Sequence, residues 1–485
     1  MTKSSFLVQL LLWFLTLASY LGETSAKIGP VGDLVIANVD VSPDGYTRMA
    51  ALAGGTIDGE LIVGQKGDDF VINVINNLND SSIVQSTSIH WHGLFQRGTS
   101  TVVVIGCPIS HNNSLYKFNA GDQAGTFGIT HTYYYEGLLR PMIIYDSLDP
   151  HVGFYDVDDE NAIVTLSDWN HVLTKTLKEP TSDTTLINGL DGADIQNYWI
   201  RANLNVGEAG YNNGINSAIL RYSAADNAEL KSSVSSGVLP LNETDLVPLE
   251  NLGAPGFPEQ GGVDYSLTLN MLYLDDVNRF TINGASFHPP PIPVLLQILS
   301  GAQAADKLLP AGSVYTLPPN STIELSVLGT SVGHGHAFHL HGSFDVVRSA
   351  GSSTYNYENP VRSYVSSCLK WLRKQVLKVR RDVVRIGDIG ANDVTIRFKT
   401  DNVGPWSLLA STLSFSVLRL LNPVTLIGTS TSTRTSSIYD LCSPGGLAVV
   451  FAEDSEDWAT TSRPPSASEC ENICLTYDAL PASEL

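Results

Sequence analysis

Short β-rich segments separated by turn residues recur along most of the chain, and they are the strongest constraint on its fold. Several of them alternate in polarity, as half-buried strands do. They lie at residues 69–74, 141–145, 162–166, 198–203, 265–274, 293–299, 321–327, 344–348, 394–398 and 446–451. The 41 Gly and 24 Pro among 485 residues supply the turns that many short strands need. The pattern predicts an all-β protein made of β-sandwiches, whose number the pattern leaves open.

The composition excludes two classes of protein. Hydrophobic residues make up 43% of the chain and charged residues 16%, a balance that is too apolar for a disordered protein. The 28 Lys and Arg residues are outnumbered by 49 Asp and Glu residues, which gives a formal net charge of −21. A surface of this charge repels phosphate backbones, so we expect no nucleic acid partner.

The N-terminus has the features of a secretory signal peptide. Lys3 precedes an almost wholly apolar run at 6–17, and the small residues Thr24 and Ala26 follow it. We expect a signal peptide over 1–26 and a secreted, extracellular protein that does not associate with a membrane. The alternative is an uncleaved anchor, but the apolar run is shorter than a bilayer requires.

Secretion agrees with the glycosylation and cysteine patterns. N-glycosylation acceptor triplets begin at Asn79, Asn112, Asn242 and Asn320. The chain has five cysteines, so at least one thiol stays unpaired in an oxidising compartment. They are Cys107, Cys368, Cys442, Cys470 and Cys474.

Two short segments, 90–92 and 334–341, hold six of the 11 histidines. In His90-Trp91-His92 and again in His339-Leu340-His341, the two histidines are separated by one residue. Residues at i and i+2 of a strand point to one face, so each pair can meet one site. One such pair is more often structural, but two pairs with aromatic neighbours favour a site for Cu, Zn, Fe or Ni. A zinc hydrolase is the weaker alternative, because no Glu is placed as in His-Glu-x-x-His.

Both segments resemble copper motifs of a known family. Residues 90–96 and 336–342 are similar to the first and third copper motifs of fungal laccases, which are multicopper oxidases. Further similar segments lie at 28–34, 107–110, 122–127, 197–202, 215–222, 293–301 and 346–353. The resemblance implies three cupredoxin-like Greek-key β-barrel or sandwich domains. We place them at 27–150, 151–285 and 286–485, with the second domain truncated near 190–195.

The resemblance also implies the chemistry. A type 1 copper takes single electrons from small phenolic substrates, including lignin-related ones, and one type 2 and two type 3 coppers reduce O2 to water. By motif position, His90 and His339 would bind type 2 copper, His92 and His341 type 3 copper, and His336 type 1 copper. No catalytic residue beyond the copper ligands is implied. A Cys107–Cys474 disulfide is implied, and we expect a monomer.

The chain departs from the family pattern at the second and fourth copper motifs. In place of the second motif, only His131 remains as a possible ligand, in a shortened loop. The fourth motif is expected after Trp406, but a Leu/Ser/Thr-rich stretch at 407–443 stands there instead. No histidine follows His341, so the type 1 Cys, its second His and two type 3 ligands have no counterparts. A basic, amphipathic stretch at 363–380 is equally foreign to the family.

These departures leave three interpretations. The first is a secreted laccase. The second is a non-catalytic, cupredoxin-like pseudoenzyme with at most a partial copper site. The third is a faulty gene model, with retained intron sequence at 363–380 and after Trp406. The number of coppers bound per chain distinguishes the first interpretation from the second.

Overall fold

The computed structural model describes the greater part of the chain. The described residues are 27–57, 60–83, 85, 87–99, 113–131, 136–149, 152, 158, 163–173, 183–187, 197–201, 217–221, 253–274, 276, 279–288, 311–329, 336–361, 381–386, 393–411, 416–419 and 447–453. The predicted signal peptide, the basic stretch at 363–380 and all five cysteines lie outside them. Within this part of the chain, no element is a helix with the length and hydropathy that crossing a membrane requires.

Every element in the described part of the chain is a β strand, which confirms the predicted all-β class. The first eleven strands are β1 (Lys27–Ile28), β2 (Val31–Val41), β3 (Arg48–Ala53), β4 (Leu61–Gln65), β5 (Asp69–Asn77), β6 (Ile89–His92), β7 (Asn113–Asn119), β8 (Gly125–His131), β9 (Arg140–Tyr145), β10 (Ile163–Trp169) and β11 (Thr184–Ile187). The others are β12 (Asn197–Arg201), β13 (Ser217–Arg221), β14 (Tyr265–Leu274), β15 (Arg279–Ile282), β16 (Val314–Leu317), β17 (Thr322–Leu328), β18 (His336–Arg348), β19 (Arg381–Ile386), β20 (Val394–Lys399), β21 (Gly404–Ser411), β22 (Ser416–Arg419) and β23 (Ala448–Glu453).

The predicted strand segments agree with these elements. Each segment that falls among the described residues overlaps a strand, and 265–274 matches β14 at both ends. The segment at 293–299 lies outside the described residues. The predicted segments account for nine of the 23 described strands, and alternation of polar and apolar residues identifies such strands because one face of each packs on a core.

The N-terminal region forms a sandwich of two sheets. One sheet has the strand order β1-β4-β9-β8-β6, and the other has the order β3-β2-β5-β7. Their inner faces enclose a core of apolar side chains that includes Leu34, Phe70, Trp91, Phe118 and Met142. Strand β6 is an edge strand of the first sheet, and this position leaves one side of it open toward the C-terminal region.

The C-terminal region is organised around β18. This strand pairs with β19, β20 and β21 within a large sheet of order β15-β14-β17-β20-β18-β21-β23-β16. Its core includes Phe338, Leu340, Ile396, Trp406 and Phe451. Strands β14 and β15 precede the predicted boundary at residue 286, yet both belong to this sheet. Strand β21 extends into the 407–443 stretch and pairs with β18 and β23.

Two smaller sheets are also present among the described strands. Strands β11, β10 and β22 form one sheet, and β12 pairs with β13. Trp169 at the end of β10 packs with Ala50 and Leu52 of β3. The Arg48 guanidinium lies 3.8 Å from the centre of the Trp169 ring and 2.7 Å from a carboxylate oxygen of Glu136. Apolar packing and a buried ion pair therefore fix this sheet against the N-terminal sandwich.

Candidate metal centre

Strand β6 places its two histidines on one face because successive side chains alternate across a strand. Trp91 points into the core, where its ring lies 4.6 Å from Phe118 and 5.7 Å from Tyr116. His90 and His92 therefore project from the opposite face. The buried tryptophan fixes the register of the strand, and that register fixes the direction of both imidazoles.

Strand β18 repeats the arrangement from the C-terminal region. Phe338 and Leu340 belong to the core of the large sheet, and they are at most 3% exposed. His339 and His341 therefore lie on the other face. The predicted i, i+2 relation is realised in both strands.

The two strands bring their histidines together across 249 residues of sequence. The Nε2 atoms of His90 and His339 are 3.1 Å apart. One nitrogen from each of His90, His92 and His339 lies within 4.8 Å of the others, as metal ligands would. The ring of His341 stacks on that of His90 at 4.3 Å, and the ring of His92 stacks on that of His339 at 4.1 Å. We call these four residues the histidine cluster.

Burial keeps three imidazoles of the cluster, those of His90, His339 and His341, neutral. It lowers the pKa of His90 and of His339 well below the ordinary value, and neighbouring imidazoles add to the effect. Burial and the nearby His92 also lower the pKa of His341 to about 4. A neutral imidazole keeps one nitrogen lone pair, which is the form that binds a metal ion.

Asp382 on β19 contacts two histidines of the cluster, His92 and His339. Its Oδ2 atom lies 3.1 Å from Nε2 of His92, and its backbone carbonyl accepts a hydrogen bond from Nδ1 of His339 at 3.0 Å. This bond leaves the Nε2 lone pair of His339 facing His90. Burial raises the pKa of the Asp382 carboxyl, but the adjacent His92 outweighs burial and the pKa falls to about 2. The carboxylate is therefore ionised and can orient His92.

Gly93 allows the chain to leave β6 close to this carboxylate. Its φ is +83°, in the left-handed region that favours glycine. A Cβ atom there would lie 3.3 Å from the Phe127 ring and 3.7 Å from Oδ2 of Asp382. Both the positive φ and the limited space for a Cβ atom therefore favour a glycine directly after the His90-Trp91-His92 motif.

The cluster fits a soft or borderline metal cation such as copper. The Nδ1 atoms of His90 and His92 are buried and have no hydrogen-bond partner among the described residues. Buried polar atoms without partners are costly, and a bound cation removes that cost. All the donors are imidazole nitrogens, a set that suits copper or zinc rather than calcium or magnesium. A carboxylate behind a metal-binding histidine is also a common feature of such sites.

The other predicted site residues lie apart from the cluster or outside the described residues. His336 is buried on the core face of β18, with its ring 5.0 Å from Phe280. The backbone of His131 ends β8 opposite Ile89, and its side chain is outside the described set. Asn79 and Asn320 are exposed, as glycosylation requires. Cys107, Cys474, Asn112 and Asn242 lie outside the described residues.

Two residues beside the cluster were missed by the sequence reasoning. Asp382 lies in a segment, 381–384, that resembles the family, but nothing in its spacing connects it to the histidines. Gln96 lies inside the first copper motif and lines a small cavity with His90, His339 and His341. Only the fold brings these side chains to the cluster.

Models of known families match both regions that carry the cluster. Residues 35–149 and 287–410 each match a model described as multicopper oxidase. The chain is 41% identical to laccase-4 of Trametes villosa, over 96% of this chain and 97% of that protein. It is 39% identical to a laccase of Phlebia radiata, over 97% of this chain and 98% of that protein.

Solved structures give the same result for the fold. The laccase of Botrytis aclada matches with a TM-score of 0.65 at 20% identity, over 96% of this chain and 95% of that one. A multicopper oxidase that functions in iron import matches with a TM-score of 0.65 at 16% identity, over 93% and 96% of the two chains. These matches confirm the cupredoxin-like fold. With the relatives at about 40% identity over nearly the whole chain, they establish that this protein belongs to the laccase family of multicopper oxidases.

Proposed function

We propose that the protein is a secreted laccase that removes single electrons from small phenolic compounds, lignin-related phenols among them, and passes them to O2. The observation that carries the proposal is the histidine cluster. Four imidazoles from two distant copper motifs meet, with the Nε2 atoms of His90 and His339 only 3.1 Å apart. A cluster of this kind can hold copper ions next to one another, as the reduction of O2 requires.

Bound copper would supply centres that change oxidation state by one electron. Four phenol molecules would each lose one electron and one proton, and one O2 would take up four of each to give two water molecules. His90 and His339 would hold the type 2 ion, and His92 and His341 would each hold a type 3 ion. Asp382 would orient His92, and burial would keep His90, His339 and His341 deprotonated.

The family complement is four coppers, one type 1, one type 2 and two type 3, but this chain has no counterparts of the type 1 Cys, the second type 1 His and two type 3 ligands. His336 is the residue that we assign to type 1 copper. Its buried position on β18, three residues from His339, supports this assignment. We also propose that residues 1–26 are cleaved on secretion, that Cys107 and Cys474 form a disulfide, and that the mature protein is a monomer.

A second candidate is a copper-binding protein without oxidase activity. It is favoured by one observation: no histidine follows His341, so the motif that would complete a type 1 centre has no counterpart. Such a protein would bind copper at the histidine cluster but would have no centre through which electrons from phenols could enter. Sequencing the spliced transcript across codons 90–200 and 355–450 would show whether the gene encodes the missing motifs.

Copper content and O2 consumption test the proposal together. For the wild-type chain we expect bound copper and one O2 consumed for four molecules of 2,6-dimethoxyphenol oxidised. His90→Ala should lose most of the copper and all of the O2 consumption. His288→Ala is the matched control, because His288 is exposed and contacts Arg279 far from the cluster in sequence.

The two candidates give different results in this experiment. If the wild type bound copper but consumed no O2, and His90→Ala lost that copper, the second candidate would be established. A wild-type chain that binds no copper would contradict both.

A further inference from the structure

Gln96 has an unusual backbone conformation next to the cluster. It lies four residues after His92, with a φ of +48° in the left-handed region that glutamine rarely adopts. Asn402 of the C-terminal region holds the surrounding loop: its Nδ2 donates to the Phe95 carbonyl at 2.9 Å, and its Oδ1 accepts from the Gly98 N–H at 3.1 Å. Strained conformations persist where surrounding contacts impose them, and they concentrate at functional sites.

The side-chain amide of Gln96 is only half satisfied. The residue is 5% exposed. Its Oε1 accepts a hydrogen bond from the Thr99 hydroxyl at 3.0 Å. Its Nε2, which carries two N–H donors, is buried and has no partner among the described residues. A buried donor without an acceptor is costly, so the site is built for an acceptor that binds there.

The unpartnered amide lines a small cavity that the histidine cluster also lines. The cavity has a volume of about 20 Å³, which is enough for one water-sized group. His90, His339, His341 and Trp406 contribute to its wall. The indole N–H of Trp406 is already donated to the Asn402 carbonyl at 2.7 Å. The amide of Gln96 can therefore provide the hydrogen bond that a ligand in this cavity needs.

We propose that Gln96 Nε2–H donates a hydrogen bond to a small acceptor that occupies this cavity beside His90, His339 and His341. The acceptor is water, hydroxide or dioxygen. The inference rests on the proposed function, because this acceptor is the oxygen species that the oxidase would reduce or release. Neutral imidazoles bound to a metal through one nitrogen offer no donor toward the ligand, and Gln96 supplies one. The residue thus becomes part of the oxygen site.

Binding of azide to the copper-loaded, full-length protein tests this role without relying on turnover. Azide is a small anionic acceptor, and its binding to copper(II) is followed by a change in absorption. Loss of a buried hydrogen bond to a charged group should weaken azide binding roughly 10-fold or more in Gln96→Leu. Gln96→Glu should weaken it further, since the donor becomes a negatively charged acceptor.

Gln123→Leu is the matched control. Gln123 is a buried glutamine that contacts the same loop, and both ends of its amide are satisfied. Nε2 donates to the Gly93 carbonyl at 2.9 Å, and Oε1 accepts from the Phe95 N–H at 2.7 Å. This substitution should lower the thermal midpoint and leave the azide affinity of the copper-loaded protein unchanged. The metal-free Gln96→Leu protein should stay close to the wild-type midpoint, because loss of the hydrogen bond from Thr99 is offset by removal of a buried donor that the fold does not satisfy.

Three results would count against the inference. Equal azide affinity of Gln96→Leu and wild type, at equal copper content, would overturn it and leave the proposed function intact. A clear loss of metal-free stability in Gln96→Leu would show that the amide is structural. A wild-type protein that takes up no copper would overturn the inference and the proposed function together.

Discussion

Two buried polar clusters, one within the C-terminal region and one between the N-terminal and C-terminal regions, meet the cost of burial in different ways. Arg397 of β20 is fully buried, and its Nε and Nη2 donate to Oε2 of Glu324 at 2.8 and 2.6 Å. Its Nη1 also donates to the carbonyls of Pro255 and Phe257. In the histidine cluster, by contrast, the buried Nδ1 atoms of His90 and His92 have no partner among the described residues.

This difference separates a structural cluster from a functional one. At Arg397 the charge and its donors are satisfied by the chain itself, so the cluster is complete once the sheet has formed. In the histidine cluster, buried imidazole nitrogens have no hydrogen-bond partner among the described residues, and a metal ion would bind to imidazole lone pairs there. We therefore expect substitutions in the Arg397–Glu324 cluster to change stability, and those in the histidine cluster to change metal binding.

The largest expected effect is a loss of stability on substitution in the Arg397–Glu324 cluster. Glu324→Ala would leave the Arg397 guanidinium buried without its carboxylate, and breaking a buried pair costs about 3–5 kcal/mol of unfolding free energy. Copper bound per folded chain should stay at the wild-type value. Thermal unfolding and metal analysis of the purified protein measure the two quantities.

Lys66→Ala is the control for this substitution. The Lys66–Asp146 pair has a similar distance, 2.8 Å, but the lysine side chain is 40% exposed. Surface pairs contribute about 0–1 kcal/mol, so the midpoint should change little. Equal loss of stability in both variants, or loss of copper in Glu324→Ala, would remove the distinction between the two clusters.

The sequence predicted the four residues of the histidine cluster but missed Asp382, which contacts two of them. The four histidines could be identified because their i, i+2 spacing and aromatic neighbours repeat a known motif. Asp382 could not, because its contact depends on the pairing of β18 with β19, which are separated in sequence by the 363–380 stretch that is foreign to the family. The strand pattern was also readable from alternation, but sheet membership was not: β14 and β15 pair with the large sheet although they lie before the predicted domain boundary.

A smaller effect is expected from removing the carboxylate behind the cluster. Asp382→Ala removes the group 3.1 Å from Nε2 of His92 but keeps the backbone carbonyl that fixes His339. Loss of a supporting carboxylate typically weakens metal affinity about 10- to 100-fold. Competition with a chelator of known affinity measures the change.

Asp401→Ala is the comparison for Asp382→Ala. Asp401 forms an exposed pair with Arg97 at 3.4 Å, so its loss should leave copper affinity unchanged. If Asp382→Ala bound copper as tightly as the wild type, orientation of His92 by the carboxylate would not contribute to metal binding at the histidine cluster.

Glu453 shows a third way to bury a polar group. It lies at the end of β23 and lines a cleft with His341 and Arg97. Burial raises the pKa of its carboxyl to about 8, and the nearby Asp401 adds to this, although the backbone N–H of Asn402 opposes it. The folded protein therefore keeps this carboxyl protonated at neutral pH, where the unfolded chain would release the proton.

This proton makes stability depend on pH in a defined direction. The contribution is fully present below the unfolded pKa of 4.5 and is lost as the pH rises through about 8. Within that window one group changes the unfolding free energy by at most about 1.4 kcal/mol per pH unit. The midpoint of the wild type should thus fall relative to that of Glu453→Gln as the pH is raised from the acid to the alkaline end of the window. Glu358→Gln, at an exposed carboxyl, should show no such divergence. A pH-independent difference between the wild type and Glu453→Gln would mean that the carboxyl is ionised in the fold, and Glu453 would then be a buried charge that needs a partner, like Arg397.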